Sequence, residues 1–347
     1  MADTALAAYT TLRLGGPACR MVEAASAAEI VDAVRSADTA GEPVLLVGGG
    51  SNLVLADEGW PGAAVLLRSR GVTTERDRDA DRVRLTVEAG EPWDDLVDRA
   101  VAEGLAGIEC LVGIPGLVGA TPVQNVGAYG QEVAETVAAV RVWDRAGGAV
   151  RDLAPLDCGF AYRDSAFKHS DRYVVLSVTF ALRARPLSRP VRYAELAGTL
   201  GVAVGEPAKL ADVRDAVLGL RLRKGMVLDP DDHDTWSVGS FFTNPVLGPD
   251  GLAAFERRLD PGTWYPSWLA GGGTKLSAAW LIERSGFGKG YGNGQVRLSS
   301  KHTLALTNRG GGTTAELVAL AREIRDEVRA RFGVTLTPEP RLVGVAL

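Results

Sequence analysis

With 46% hydrophobic and 23% charged residues in 347, the chain has a globular composition, and at ~150 residues per domain it is long enough for two or three domains. A formal net charge of −5 excludes the basic field that draws nucleic acid or an anionic membrane surface, so neither is expected as a partner. No apolar run approaches the ~18 residues that span a bilayer, and no basic segment followed by an apolar core opens the chain, so the expected location is cytoplasmic.

Three cysteines and three histidines lie scattered without ligand spacing, so neither a disulfide framework nor a metal site is expected. Packing or surface roles are expected for most of them. Glycine, at 42 of 347 residues or roughly 12% against a usual ~7%, implies many turns or close backbone approaches.

In chain order, Ser26 to Ala40 predicts an amphipathic helix, with a capping box from Ser26 and Glu29 and an apolar face of Ile30, Val31 and Val34. Val44 to Val47 predicts a buried strand running into Gly48, Gly49, Gly50, Ser51 and Asn52. Gly59, Pro61 and Gly62 forbid the long helix that a dinucleotide-binding βαβ unit needs, which leaves a short strand, a turn and a strand at Ala63 to Leu67. The glycines then read as a turn whose consecutive N–H groups form an anion nest, with Ser51 and Asn52 adding side-chain donors.

A charged run from Glu75 to Arg82 marks a first expected boundary, followed by a half-buried strand through Val83, Leu85, Val87 and Ala89. Trp93, Leu96, Val97, Ala100 and Val101 recur at helical spacing between Pro92 and Gly104. Val140 and Val142, the turn at Gly147 and Gly148, and Val150 predict a hairpin, and Val174 to Leu182 a long strand. Lys209 to Arg221 predicts a helix, and a second boundary is expected near Lys224, where an acidic loop runs into an aromatic strand. Leu276 to Arg284 predicts a short helix and Thr303 to Leu306 a short strand. The longest helix is expected over Thr314 to Phe332, capped by Thr313 and Glu316 and stopped by Gly333.

The glycine-rich stretch from Gly107 to Gly130 reads as the loop and helix start that hold a flavin. Gly113, Gly116 and Gly119 bare three successive turns of backbone, and Gln124 and Asn125 supply amide donors and acceptors. A surface loop with several tight turns is the plainer alternative.

Three distant motifs, GFAYRDSAFK (159–168), GSFFTNP (239–245) and TPEPR (337–341), appear in order with GGGSN and the 113–130 run. Together they resemble the UDP-N-acetylenolpyruvoylglucosamine reductase family over nearly the whole chain. The resemblance implies an α+β fold with two FAD-binding subdomains of the vanillyl-alcohol-oxidase (PCMH) type and a C-terminal α+β substrate-binding domain. The implied divisions are residues 1–72, to which 334–347 return, then 73–224, then 225–333.

The resemblance also implies an activity: NADPH-dependent reduction of the enolpyruvyl double bond of UDP-N-acetylglucosamine enolpyruvate, giving UDP-N-acetylmuramate for peptidoglycan synthesis, by a monomer holding FAD non-covalently. Hydride passes from N5 of the reduced flavin to the β-carbon. By resemblance the catalytic residues are Arg163, Ser240 and Glu339. Cofactor contacts are Gly48, Gly49, Gly50, Ser51, Asn52, Gly113, Ile114, Pro115, Gly116, Gly119, Ala120, Gln124, Asn125, Gly127, Ala128 and Tyr129. Substrate contacts are Tyr193, Lys224 and Asn244, and the tyrosine marks the longer of the family's two types.

These residue types suit the reaction. Negative charge builds at the α-carbon and its carboxylate, which a guanidinium at Arg163 clamps bidentately and a protonated Glu339 steadies by donation. Ser240 then protonates the α-carbon. Read without the family, Arg163 is an ion-pair partner of Asp164, Ser240 a turn residue capping Gly239, Glu339 a solvated tail residue, and Tyr193 a packing tyrosine at a helix start. Thr243, where relatives often carry a basic residue, and Pro340, where they carry an aliphatic one, depart from the pattern.

Overall fold

The computed structural model describes residues 5–76 and 81–347. The chain divides into two compact units, one formed by Cys19–Gly49 and Pro61–Val227, the other by Met1–Ala18, Gly50–Trp60 and Leu228–Leu347. The break after Val227 falls close to the change of character at Lys224.

In the first unit, the strand Val44–Val47 runs parallel to Trp60–Leu67, with Val44 opposite Ala63 and Val47 opposite Leu66. Ala18–Ala24 lies on the other side of that strand. The helix Ala27–Thr39 begins where the Ser26 hydroxyl accepts the Glu29 N–H, and it buries Ile30 and Val34 with Val65, Val174 and Leu176. Period and cap were both legible because both are local.

A larger antiparallel sheet follows, in the order Ala149–Leu153, Val137–Asp144, Tyr173–Ala184, Arg82–Glu88, Val72–Arg76, with Leu105–Ala106 added at the end of the central strand. Val83, Leu85 and Val87 alternate inward as expected. Glu75 and Arg76, at the start of the charged run, pair with Arg84 and Val83 inside this sheet, and residues 77–80 lie outside the described residues. At the sheet's hairpin end, Arg172 chelates the Asp144 carboxylate at 2.8 Å and Arg151 approaches at 3.3 Å. The hydrogen bonds from Arg172 hold that carboxyl well below the usual range.

Two helices brace this sheet and the glycine loop. Trp93–Ala102 buries Trp93, Leu96, Val97 and Ala100, and the Trp93 indole donates to the Leu111 carbonyl at 2.9 Å. Leu210–Arg223 turns Leu210, Val213, Val217, Leu220 and Arg221 inward.

The second unit is organised around the helix Thr314–Phe332, whose bounds match the sequence expectation and whose capping box joins Thr313 and Glu316. Gly333 stops it in the left-handed region at φ 69°. Its buried stripe of Leu317, Ala321, Ile324 and Val328 packs into a core with Phe241, Phe255, Leu281 and Ile282. Truncating one such side chain to alanine costs about 2–5 kcal/mol.

Gly50–Trp60 joins this unit for reasons no local pattern carries. The Asp57 carboxylate accepts the N–H groups of Thr314 and Ala315 at 2.8 and 2.9 Å, and the Thr314 hydroxyl donates to the Leu55 carbonyl at 2.6 Å. Leu53–Leu55 pairs in parallel with Arg341–Val343 near the chain end.

Three expectations shift here. The aromatic pair Phe241 and Phe242 is buried but not in a strand, and the strand is Val246–Leu247. Leu276 ends the strand Gly273–Leu276, so the helix begins only at Ala278, capped by Ser277. The strand expected over Thr303 to Leu306 is Leu306–Asn308, paired with Val296–Leu298. In each case apolar residues just outside an element read as part of it.

Candidate active site

In the unit that carries the large sheet, the stretch from Gly107 to Gly130 contains no α-helix start. It holds short 3₁₀ turns at Glu109–Leu111 and Val118–Ala120, and the small hairpin of Gly127–Ala128 with Gln131–Glu132. Its glycines meet protein neighbours. A Cβ on Gly119 would stand 2.5 Å from that of Ala89, and one on Gly113 3.1 Å from Val227. The Gly113 N–H donates to Asp94 at 2.6 Å and the Gly119 N–H to the Ala89 carbonyl at 2.9 Å. Both of these N–H groups thus donate to the protein itself. Gly116 differs: a Cβ on Gly49 would lie 2.7 Å from the Gly116 Cα, so two turns distant in sequence meet backbone to backbone.

Asn125, 2% exposed, is likewise committed to the protein. Its amide nitrogen donates to Glu132 at 2.8 Å and to the Ala161 carbonyl at 3.0 Å, and its oxygen accepts from the Ala134 N–H at 3.1 Å. It therefore ties the hairpin to the turn that carries Arg163. That turn is closed by reciprocal hydrogen bonds between Ala161 and Asp164 at 3.0 and 3.2 Å. Arg163 occupies its corner at φ 55° and donates from Nη2 to the Gly127 carbonyl at 2.6 Å. Lys168 donates to the Arg163 carbonyl at 2.7 Å. Asp164, the partner in the plainer reading, receives His169 at 2.9 Å.

Non-glycine residues at positive φ cost about 1–2 kcal/mol each. Among the described residues Arg13, Asn125, Tyr129 and Arg163 take this conformation, and the last three cluster here. Strain so concentrated marks a place where side-chain position outweighs backbone comfort.

Tyr129, Tyr193 and Lys224 converge as well. The two tyrosine rings meet edge to face with centroids 5.5 Å apart, and the Lys224 ammonium lies 5.8 Å from the Tyr129 centroid while pairing with Glu195 at 2.7 Å. Burial pushes the Tyr129 hydroxyl up to about 12. Tyr193 does stand at a helix start, before Ala194–Leu200, and is 46% exposed. Sequence reading missed Arg221, a guanidinium 8% exposed that donates to the Met226 carbonyl at 2.8 Å and whose pKa burial lowers to about 10. Its signal was present: Val213, Val217 and Arg221 fall at intervals of four on an apolar face.

In the other unit, Ser240 and Glu339 lie on neighbouring extended segments. The Phe241 N–H donates to the Leu304 carbonyl at 2.8 Å, the Glu339 N–H to the Phe241 carbonyl at 2.9 Å, and the Thr243 N–H to the Thr337 carbonyl at 3.0 Å. Residues 240–243 are therefore held on one side by the 299–305 loop and on the other by 337–339. Glu339 is no tail residue, since the Asn52 amide also donates to its carbonyl at 3.5 Å. Nor does Ser240 cap Gly239: that N–H donates to the Ser237 hydroxyl at 3.1 Å. Asn244 accepts at 2.9 Å the N–H of Ala278, the first residue of the helix Ala278–Arg284. Gly50, at φ 61°, lies so close to Tyr9 that a Cβ would stand 1.9 Å from its carbonyl oxygen.

Residues 19–154 match the model of a FAD-binding domain, and 229–343 the C-terminal domain of UDP-N-acetylenolpyruvoylglucosamine reductase. The chain is 59% identical to the Salinispora arenicola protein of that name, over 100% of this chain and 96% of that one. It is 57% identical to the Thermobifida fusca protein, covering 99% and 97%. A crystal structure of the Thermus caldophilus reductase superposes with a TM-score of 0.65 at 26% identity, covering 98% of this chain and 97% of that one. Likeness at this level along the full length of both partners means that the chain belongs to the UDP-N-acetylenolpyruvoylglucosamine reductase family, as an α+β oxidoreductase with a FAD-binding domain and the family's C-terminal domain.

Proposed function

We propose that the chain reduces the enolpyruvyl double bond of UDP-N-acetylglucosamine enolpyruvate to the lactyl ether of UDP-N-acetylmuramate, with NADPH as reductant, as a cytoplasmic monomer supplying peptidoglycan synthesis. The observation that carries the reading is the backbone register holding Ser240 and Glu339 on adjacent segments almost a hundred positions apart in sequence. A proton donor and a carboxyl are thereby fixed together by hydrogen bonds that neither side chain has to make.

The turns at Gly48–Gly49 and Gly116 would hold FAD; they meet backbone to backbone, and a Cβ on Gly49, 2.7 Å from the Gly116 Cα, would force them apart. Of the expected cofactor contacts, Gly48, Gly49, Gly116, Gln124, Gly127 and Tyr129 are the ones proposed to face it. Gly113, Gly119 and Asn125 act by shaping the loop. When bound, reduced FAD supplies the hydride that reaches the β-carbon, having itself been reduced by NADPH.

Arg163 receives the substrate carboxylate. Its strained turn and the bond to Gly127 set the guanidinium in place before charge develops, the condition under which electrostatic stabilisation is largest. Glu339 donates to the same carboxylate, and Ser240 delivers its hydroxyl proton to the α-carbon. Tyr193, Lys224 and Asn244 bind the sugar nucleotide, Lys224 as a cation for its diphosphate. The proposed divisions are 1–72 with the return of 334–347, then 73–224, then 225–333. The pairing of Arg341–Val343 with Leu53–Leu55 supports the return.

The test is NADPH consumption by the flavin-loaded protein with and without the enolpyruvyl substrate. Substrate-dependent consumption is expected. Rapid reoxidation of the reduced flavin by air, with no response to NADPH, would instead identify an oxidase.

A further inference from the structure

Ser240 has a neighbour that the proposed chemistry does not use. The imidazole Nε2 of His302 stands 3.5 Å from the Ser240 hydroxyl oxygen. This approach is built by the backbone: the Phe241 N–H, next to Ser240, donates to the Leu304 carbonyl two residues beyond His302. The loop is also closed on itself. The buried Ser299 hydroxyl accepts the N–H groups of Lys301 and His302 at 3.0 and 3.2 Å, and the Ala305 N–H donates to the His302 carbonyl at 3.1 Å.

Charged groups fasten the loop from outside. Asp234 accepts the Ser300 N–H at 3.0 Å and Arg309 at 2.7 Å, Lys301 pairs with Asp232, and the Thr303 hydroxyl donates to Glu283 on the helix Ala278–Arg284. On the far side of Ser240 lies the segment carrying Glu339. Among the described residues, Asp232, Asp234, Glu283, Lys301 and Arg309 are thus charged groups fastening this loop, and Glu339 lies on the segment bonded to Phe241.

We propose that His302 is a positioning residue for Ser240 that aligns the hydroxyl and restores its proton. The inference rests on the reading of Ser240 as the proton donor. A serine that gives up its proton becomes a strongly basic alkoxide, so donation needs a second proton behind it. As the Oγ–H bond breaks and the α-carbon–H bond forms, the Nε2–H bond of the imidazolium breaks and a new Oγ–H bond forms. Carbanion and imidazolium are neutralised together, no atom changes oxidation state in this step, and the neutral imidazole recovers its proton from solution, the one proton the reaction consumes. Histidine suits this because its charge changes between about pH 5 and 8.

The experiment compares His302→Gln, whose amide still hydrogen-bonds but carries no proton, with Ser240→Ala, using flavin-loaded protein and stopped-flow absorbance. In His302→Gln, flavin reduction by NADPH should stay at the wild-type rate. Reoxidation by the enolpyruvyl substrate should slow about 100-fold and lose its fall with rising pH. Added imidazole should restore part of the rate in His302→Ala. A His302→Gln enzyme with wild-type reoxidation and an unchanged pH profile overturns the inference. So does a wild-type reoxidation rate that is flat from pH 5 to 8, which needs no variant. If Ser240→Ala also reoxidises normally, the proton-donor reading of the serine has failed; if Ser240→Ala is slow and His302→Gln is not, only the inference about the histidine has.

Discussion

Two regions of this molecule hold, by opposite means, the side chains proposed to react. Arg163 sits on a strained turn, one of three left-handed non-glycine residues packed together, and its place depends on side-chain bonds such as those of Asn125. Ser240 and Glu339 are not among the left-handed residues, and main-chain bonds through Phe241 set their register. The difference suggests a division of labour: a long flexible guanidinium needs its base fixed by force, whereas a short hydroxyl is already placed once its main chain is.

The largest effect should come from Ser240→Ala, which removes the proposed proton donor and leaves the register intact. Reoxidation by substrate should fall at least ~1,000-fold with thermal unfolding unchanged. Near-normal turnover would remove the assigned role. Next, Arg163→Gly should relieve the left-handed strain while losing the bond to Gly127, so stability should change by less than about 1 kcal/mol. Turnover should nevertheless drop about 100- to 1,000-fold; a large loss of stability would mean that the turn is not strained.

Asn125→Ala should sharpen the contrast. By unlinking the hairpin from the Ala161–Asp164 turn it should cost about 1–3 kcal/mol and lower turnover through misplacement of Arg163. Wild-type kinetics in a destabilised variant would disconnect the turn from catalysis. In the other region, Asp57→Ala removes the cap on Thr314 and Ala315 and should cost about 1 kcal/mol, read by denaturant midpoint, with turnover preserved.

The smallest effect concerns pH. Burial raises the Tyr129 pKa to about 12 in the folded chain, above the ~10 of an exposed tyrosine. Between these values the folded state keeps a proton that the unfolded state has lost. The stability this hydroxyl contributes is therefore complete below pH ~10 and is lost as pH rises toward 12. Tyr129→Phe should fall less steeply with pH across that interval, as followed by denaturant titration.

Much of the fold was legible where its causes are local. The helix Thr314–Phe332 carries its own period, cap and stop, and the strand Arg82–Glu88 its own alternation. Glu75 and Arg76 read as linker charge in the sequence, and their pairing with Arg84 and Val83 came only with the sheet. Arg163, Ser240 and Glu339 were reached only through the family's motifs, since each has an ordinary meaning by itself. His302 was set among scattered histidines because nothing adjacent to it in sequence concerns Ser240.

What the sequence alone determined is thus the periodic and punctuated part: helices, alternating strands, and the family. Tertiary structure decided which glycines meet which backbone, that Asp57 caps a helix more than 250 residues away, and that the Asn125 amide ties its hairpin to the turn carrying Arg163. The physical reason is range. Propensity and capping act within a few residues, while the partner of a bare backbone turn or a buried polar group is supplied by whichever distant segment the fold brings beside it.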